Sequence, residues 1–118
     1  MQTNKFKLKS DKYRKARGGY SRFLNIYCST CKSFIFLYQK DGPGTLKRAY
    51  LDRIFAPESL SNFQNISDIK DVPTLVCSNC KSLIGTPYIF KKENRKAYLL
   101  DPTSFVKKIC KGVYPLSN

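Results

Sequence analysis

The motif Cys28-Ser-Thr-Cys31-Lys-Ser33 occurs again, almost unchanged, as Cys77-Ser-Asn-Cys80-Lys-Ser82. Each Cys-x-x-Cys turn presents two sulfurs on one side, so two turns together supply four thiolate ligands. The chain has no histidine, and its first residues lack a signal-peptide pattern, which favours a metal site over disulfides. The sequence therefore predicts one tetrahedral zinc ion bound by Cys28, Cys31, Cys77 and Cys80.

The size and composition are those of one small folded unit. The chain has 118 residues, of which 42% are hydrophobic, with eight Phe and eight Tyr. A chain of this length buries only a modest core, so a metal that crosslinks two distant turns adds to its stability. We expect the zinc ion to assist folding.

The charge points to a polyanionic partner. The formal net charge is +14 and the isoelectric point is about 9.8, and four thiolates on one zinc would subtract only about two charges. Nucleic acid is favoured over an acidic membrane surface. No apolar run approaches the roughly 18 residues that span a bilayer. We expect a protein of a reducing, cytoplasmic compartment, with no membrane association.

Residues 1–22 are rich in cations and contain a single acid, Asp11. This composition, with a Gly18-Gly19 break, predicts a basic flexible arm, followed by a zinc-binding β domain over residues 23–118. Such an arm is either a solubilising tail or a localisation signal of nuclear type. Alternatively, it orders along a phosphate backbone, with Tyr13 and Tyr20 stacking on bases. Its candidate nucleic-acid-binding residues are Lys5, Lys7, Lys9, Lys12, Arg14, Lys15, Arg17 and Arg22.

The residues around each cysteine pair favour β-strands, because they are rich in aromatic and β-branched side chains. Lys47-Arg-Ala-Tyr-Leu51 matches Arg95-Lys-Ala-Tyr-Leu99, so each half is predicted to be a β-β-β unit, and Tyr50 and Tyr98 are expected to face the same way. The predicted fold class is all-β, with small antiparallel sheets of zinc-ribbon or similar type. Residues 56–73 are predicted to be a connecting loop. Residues 101–110 fit either a short C-terminal helix or an edge strand.

The four cysteines, spaced as two distant pairs, resemble the β-tent proteins, which include the Yippee-like domains and the B-type methionine sulfoxide reductases. The resemblance implies two antiparallel sheets joined at one zinc ion. The reductases carry a nucleophilic cysteine on a late strand with histidines nearby, whereas Tyr98 and its neighbours here include no thiol. The resemblance therefore extends to the zinc ligands and to no activity.

Cys110 remains as a candidate nucleophile for a thiol-dependent enzyme. Its neighbours Lys107, Lys108 and Lys111 are expected to lower its pKa. At the metal itself, four cysteines close the coordination shell and leave no position for a reactive water, so hydrolysis there is not expected. We expect Cys110 to be dispensable and the protein to lack catalytic activity.

A second group of cations lies at corresponding places in the two halves, where a basic groove is predicted. The group comprises Lys40, Lys47, Arg48 and Arg53 in the first half and Lys91, Lys92, Arg95 and Lys96 in the second. RNA is favoured over DNA, because aromatic residues among cations suit unpaired bases and no duplex-reading helix is evident. The predicted function is RNA binding in a ribonucleoprotein or translation-linked assembly. The alternative is a protein- or peptide-interaction module of β-tent type.

Overall fold

A computed structural model describes residues 4–115 and shows the all-β fold that the sequence predicts. Two four-stranded antiparallel sheets form the body, and a two-stranded ribbon accompanies them. The strands are β1 (Asn4–Lys5), β2 (Ser21–Cys28), β3 (Phe34–Asp41), β4 (Arg48–Tyr50), β5 (Ile54–Ala56), β6 (Leu75–Val76), β7 (Leu83–Phe90), β8 (Arg95–Leu100), β9 (Phe105–Cys110) and β10 (Val113–Tyr114). The helices are α1 (Lys12–Ala16) and α2 (Glu58–Ser61), with 3₁₀ turns at Leu51–Arg53, Asn62–Asn65 and Ile69–Asp71.

Each cysteine turn connects two neighbouring strands of one sheet, and the two turns belong to different sheets. The first sheet has the order β5-β3-β2-β9, and the first cysteine turn joins β2 to β3. The second sheet has the order β4-β8-β7-β6, and the second cysteine turn joins β6 to β7. Within residues 4–115, no helix is both long and apolar enough to cross a bilayer.

The third strand of the first half, β4, does not pair with the other strands of that half. Strand β4 pairs with β8 in the second sheet, while β9 pairs with β2 in the first. The segment around Gly42 and Gly44, both at positive φ, is thus a crossover between sheets, whereas residues 91–94 form a hairpin turn between β7 and β8. Each half therefore completes the sheet of the other.

The matched Ala-Tyr-Leu segments pair with each other, which changes where their tyrosines point. Ala49 lies opposite Tyr98, and Tyr50 lies opposite Ala97. Opposed residues share a face and successive residues alternate, so Tyr50 and Tyr98 face opposite sides of the sheet. The prediction that they face the same way was wrong, because the register is one residue away from a symmetric pairing of the repeats.

The main core contains side chains from both large sheets. Its buried members include Leu24, Ile26, Phe36, Tyr38, Leu51, Ile54, Ile84 and Tyr98. A smaller cluster of Phe23, Leu37 and Ala56 is packed against Phe6 and Leu8 from the N-terminal segment. Both faces of β2 and β3 are largely buried, which agrees with the apolar stretch Phe34-Ile-Phe-Leu-Tyr38 at the start of β3.

The structure describes residues 4–22 as part of the fold rather than as a flexible arm. Strand β1 pairs with β10, and α1 is capped by Asp11, whose side chain accepts hydrogen bonds from the backbone N–H groups of Tyr13 and Arg14. The expected boundary between residues 22 and 23 falls inside β2. The segment is ordered because Phe6 and Leu8 pack on the smaller apolar cluster and because Asp11 pairs with Arg53 at 2.7 Å. Residues 1–3 and 116–118 of the two predicted regions lie outside the described residues.

Two further segments have defined structures that the sequence did not fully predict. Residues 56–73, expected to be a connecting loop, contain α2 and two short 3₁₀ turns. Residues 105–110 form the edge strand β9, which was one of the two alternatives. The edge position beside β2 decides between them, because pairing there satisfies backbone groups that a helix would leave exposed on the sheet.

Candidate metal centre and nucleic-acid interface

The two cysteine turns have the same local structure. In each, the N–H of the first cysteine donates to the carbonyl of the serine five positions later, at 2.8 and 2.9 Å. The carbonyl of that cysteine accepts from the N–H of the intervening lysine, at 2.9 and 2.8 Å. The lysines, Lys32 and Lys81, have φ values of 65° and 67°. The sequence repeat therefore corresponds to a repeat of backbone conformation that aims both sulfurs of each turn in one direction.

The four sulfurs converge as the sequence predicts. Their Sγ atoms all lie within 4.8 Å of one another. Across the two turns, Cys28 Sγ is 3.6 Å from Cys80 Sγ, and Cys31 Sγ is 3.5 Å from Cys77 Sγ. A tetrahedral zinc ion with Zn–S bonds of about 2.3 Å requires sulfurs about 3.8 Å apart, whereas a disulfide requires about 2.0 Å. The cluster fits a metal and contains no disulfide.

Serine hydroxyls lie beside the sulfurs of the two half-buried cysteines. Ser33 Oγ lies 3.3 Å from Cys31 Sγ, and Ser82 Oγ lies 3.0 Å from Cys80 Sγ. The side chains of Asn79 and Ser33 lower the pKa of Cys31 to about 5. Hydrogen-bond donors beside a thiolate spread its charge and orient it toward a metal.

The other cysteine of each pair anchors the centre in the core. Cys28 and Cys77 are buried and belong to the main apolar cluster. Four sulfur ligands in a tetrahedron suit zinc or an iron–sulfur centre, and they leave no ligand position for water. The arrangement supports a structural metal that ties one sheet to the other, and it offers no site for metal-assisted hydrolysis.

Cys110 lies far from this cluster. It pairs in register with Phe23 in β2, whereas Cys28, at the other end of the same strand, pairs with Phe105. The two positions are five residue steps apart along β2, a distance of about 17 Å. Burial raises the pKa of Cys110. The expected lowering by neighbouring lysines was wrong, because Lys107, Lys108 and Lys111 are exposed while the thiol packs on an apolar cluster.

One predicted RNA-binding residue, Arg95, is part of the interior. It is 4% exposed, and its guanidinium carbon lies 3.9 and 3.7 Å from the ring centroids of Tyr13 and Tyr50. It pairs with Asp52 at 2.7 Å and with Glu93 at 3.1 Å. Arg95 therefore holds α1 against the second sheet and has no free face for a phosphate.

Several other predicted residues make internal contacts. Arg17 contacts both carboxylate oxygens of Glu93 at 2.9 Å and donates to the hydroxyl of Tyr50 at 3.0 Å. The half-buried cations Lys9, Arg14, Arg22 and Lys96 donate to the backbone carbonyls of Asp52, Gly19, Gly42 and Ile66, respectively. The half-buried Arg48 lies over Phe90, 4.3 Å from its ring centroid. These cations contribute to the positive potential, and each already uses part of its charged group in an internal contact.

Seven predicted cations are exposed, and some of them converge. They are Lys5, Lys7, Lys12, Lys15, Lys47, Lys91 and Lys92. Lys12, Lys91 and Lys92 line one surface depression between α1 and the β7–β8 turn, and Lys15 lies one helical turn from Lys12. We name Lys12, Lys15, Lys91 and Lys92 the lysine surface. Lys47 lies apart from it in a cleft with Arg48, while Lys5 and Lys7 lie in and after β1.

The tyrosines are less available to bases than their number indicates. Tyr38, Tyr50 and Tyr98 are buried. Tyr88 is half-buried, and its hydroxyl accepts a hydrogen bond from Arg48 Nε at 2.8 Å. Tyr20 is 57% exposed. Among the candidates on the described chain, Tyr20 is thus the tyrosine best placed to stack on a base.

Two cations of the predicted basic groove, Arg53 and Lys40, are buried. Arg53 is 1% exposed and pairs with both Asp11 and Asp41. Lys40 is 7% exposed and lines the same cleft as Lys47 and Arg48. No local pattern distinguishes either residue from a surface cation, although Lys40 does precede the Asp41-Gly-Pro-Gly44 turn directly.

The chain matches no family model, no curated protein and no solved structure in the comparisons with known proteins. The resemblance to β-tent proteins accordingly stands on the four cysteines alone.

Proposed function

We propose that this protein is a non-catalytic, zinc-stabilised RNA-binding module that acts in the cytoplasm within a ribonucleoprotein or translation-linked assembly. The observation that carries the proposal is the combination of a closed four-cysteine centre with a separate, exposed lysine surface in a chain of net charge +14. The first feature supports a structural role for the metal, and the second supports a polyanionic partner.

The distribution of acids strengthens the case for an anionic partner. The chain has eight acids, and four of them pair with buried or half-buried arginines: Asp11, Asp41, Asp52 and Glu93. Glu93 lines the same depression as Lys12, Lys91 and Lys92, yet its carboxylate is bound to Arg17 and Arg95. The positive charge of the lysine surface is therefore left for an external partner.

Single-stranded RNA suits this surface better than duplex DNA. The longest helix among residues 4–115 has five residues, which is too short to serve as a recognition helix in a major groove. Unpaired RNA instead requires cations along its backbone and an exposed ring for stacking. Tyr20, four residues after α1 and outside the lysine surface, has an exposed ring for such stacking.

Charge substitutions on the folded chain test the proposal. Replacing Lys12, Lys15, Lys91 and Lys92 by Gln should weaken binding to a single-stranded RNA and lower the slope of log affinity against log salt by about 3, at about 0.7 for each lost phosphate contact. A matched control replaces four exposed lysines elsewhere by Gln: Lys70, Lys81, Lys108 and Lys111. Wild-type protein that does not bind RNA at low salt, or equal slope changes in both variants, contradicts the proposal.

Peptide binding at strand β9 is the second candidate, and a specific observation favours it. Within the described residues, β9 pairs on one side only, with β2, and it exposes Val106 and Ile109 by 41% and 74%. An extended peptide can add a strand to such an edge. An Ile109→Lys substitution should abolish peptide capture and leave RNA affinity within about twofold, which separates this candidate from the first.

A further inference from the structure

A cleft of about 260 Å³ lies where the chain crosses from β3 to β4. Its cationic lining comes from Lys40 at the end of β3, from Lys47 and Arg48 at the start of β4, and from Arg17 after α1. This volume is several times the roughly 30 Å³ that one water occupies in the liquid. The cleft has room for a polyatomic anion.

Lys40 is the unusual member of this lining, because it is a buried lysine without a carboxylate partner in the described chain. Its Nζ donates to the carbonyl oxygens of Gly42 and Pro43, both at 3.2 Å. An ammonium group has three N–H donors, so one remains for a ligand. Burial, followed by the positive charges of Arg22 and Lys107, lowers the pKa of Lys40. A bound anion would offset this unfavourable environment.

The acid nearest to Lys40 in sequence does not neutralise the cleft. Asp41 lines it, but Asp41 Oδ1 accepts from Ser21 and Gln39 at 2.5 and 2.8 Å, and Oδ2 accepts from Arg53 at 2.9 Å. Arg17, in turn, is paired with Glu93. Within residues 4–115, Lys40, Lys47 and Arg48 form no ion pair with a carboxylate. The cleft therefore carries an excess of positive charge.

The donors around the cleft differ in kind. Arg48 uses Nε to bind the hydroxyl of Tyr88, and the hydroxyl of Tyr50 also lies beside its guanidinium. Since a guanidinium has five N–H donors, terminal donors remain for a ligand. Lys47 is exposed and Lys40 approaches from the buried wall. A tetrahedral anion with several acceptor oxygens can use a guanidinium and two ammonium groups at once.

We propose that Lys40, Lys47 and Arg48 bind a single phosphate group in this cleft. The site requires only a phosphate, either free or at the end of a nucleotide chain, and it stands independently of the proposed RNA function. Phosphate bridges β3 and β4, so its binding also stabilises the crossover between the two sheets.

Calorimetric titration with inorganic phosphate, against chloride at matched ionic strength, tests the site. We expect saturable binding of one phosphate per chain and a higher melting temperature. Lys40→Met should weaken the affinity for phosphate at least tenfold. Lys47→Gln should also weaken it measurably, and because Lys47 is exposed, this variant tests the site without altering the core. The control Lys70→Met removes a lysine whose side chain is 82% exposed and that does not line the cleft; its affinity should stay within twofold of wild type.

A trinucleotide with a 5′-phosphate and its 5′-hydroxyl counterpart distinguish the sources of the phosphate. Competition by the phosphorylated form alone assigns the site to nucleotide ends, while tighter binding of inorganic phosphate assigns it to the free anion. Unsaturable phosphate binding, or equal affinity in wild type, Lys40→Met and Lys47→Gln, overturns the site. That result would leave RNA binding by the lysine surface intact, so the two proposals fail separately.

Discussion

Asp11 and Arg53 are 42 residues apart in sequence, and their side chains pair at 2.7 Å. Arg53 is 1% exposed and also binds Asp41 at 2.9 Å. The same Asp11 caps α1. One carboxylate thus joins the basic N-terminal segment to the interior of the β domain, and the segment contributes to stability as well as to charge.

Asp11→Asn should lower the melting temperature at pH 7, because Asn retains the helix cap and loses the charge that pairs with Arg53. The loss should not exceed about 1 kcal/mol, since the Asp11 side chain is 37% exposed and screened by solvent. The hydrogen bond from Arg53 lowers the pKa of Asp11 from 3.8 to about 2. A carboxyl with a lowered folded-state pKa stabilises the protein above its unfolded pKa, and this stabilisation disappears as the pH falls from about 4 to 2.

Thermal unfolding from pH 7 to pH 2 measures this effect. The difference between wild type and Asp11→Asn should shrink over the lower part of that range. The control Asp71→Asn changes an exposed acid and should unfold as wild type does. A difference between wild type and Asp11→Asn that is absent at pH 7, or that stays constant down to pH 2, would contradict the role of the pair.

Tyr13 and Tyr20 form a matched pair for a second prediction. Arg95 lies between Tyr13 and Tyr50, so Tyr13→Leu should destabilise the fold by about 1 to 2 kcal/mol. Tyr20 is 57% exposed, and Tyr20→Leu should change stability by less than about 0.5 kcal/mol. Urea unfolding of both variants decides the matter, and equal losses of stability would show that the stacking on Arg95 is unimportant.

Cys110→Ala should leave metal content and RNA affinity unchanged. Burial raises the pKa of Cys110, so less of it is thiolate at neutral pH than of an unburied thiol. In the zinc-loaded protein, alkylation of Cys110 should therefore be slower than that of a free cysteine at pH 7.5. Rapid alkylation, or loss of a measurable thiol-dependent activity in Cys110→Ala, would favour the enzyme hypothesis.

The metal centre and the strand content could be predicted because they depend on local sequence. Each cysteine turn closes through contacts within six residues, and the aromatic, β-branched runs beside it form strands. The exchange of β4 and β9 between sheets could not be predicted from the repeat. It depends on the edges that the finished sheets leave open and on a register that pairs Ala49 with Tyr98.

The sequence also does not show which basic residues are buried in ion pairs and which are exposed. In the sequence, Arg95 and Lys92 are equivalent cations in a basic run. In the fold, Arg95 is buried between two rings and paired with Asp52, while Lys92 remains exposed. The acids that select the buried arginines come from distant positions, and sequence spacing contains no information on such pairs.

The central claim is that four thiolates bind one zinc ion that joins the two sheets and makes the fold stable. Structural zinc contributes about 10 to 16 kcal/mol in small zinc-finger peptides, while a domain of this size is stable by about 5 to 15 kcal/mol. Removal of one ligand should thus abolish cooperative folding.

The most direct test measures metal content and thermal unfolding of wild type, Cys77→Ser and the matched control Cys110→Ser. We predict one zinc per chain and a cooperative transition in wild type and Cys110→Ser, with neither in Cys77→Ser. Stoichiometric zinc and wild-type unfolding in Cys77→Ser, or iron in place of zinc in the wild-type protein, would contradict the account.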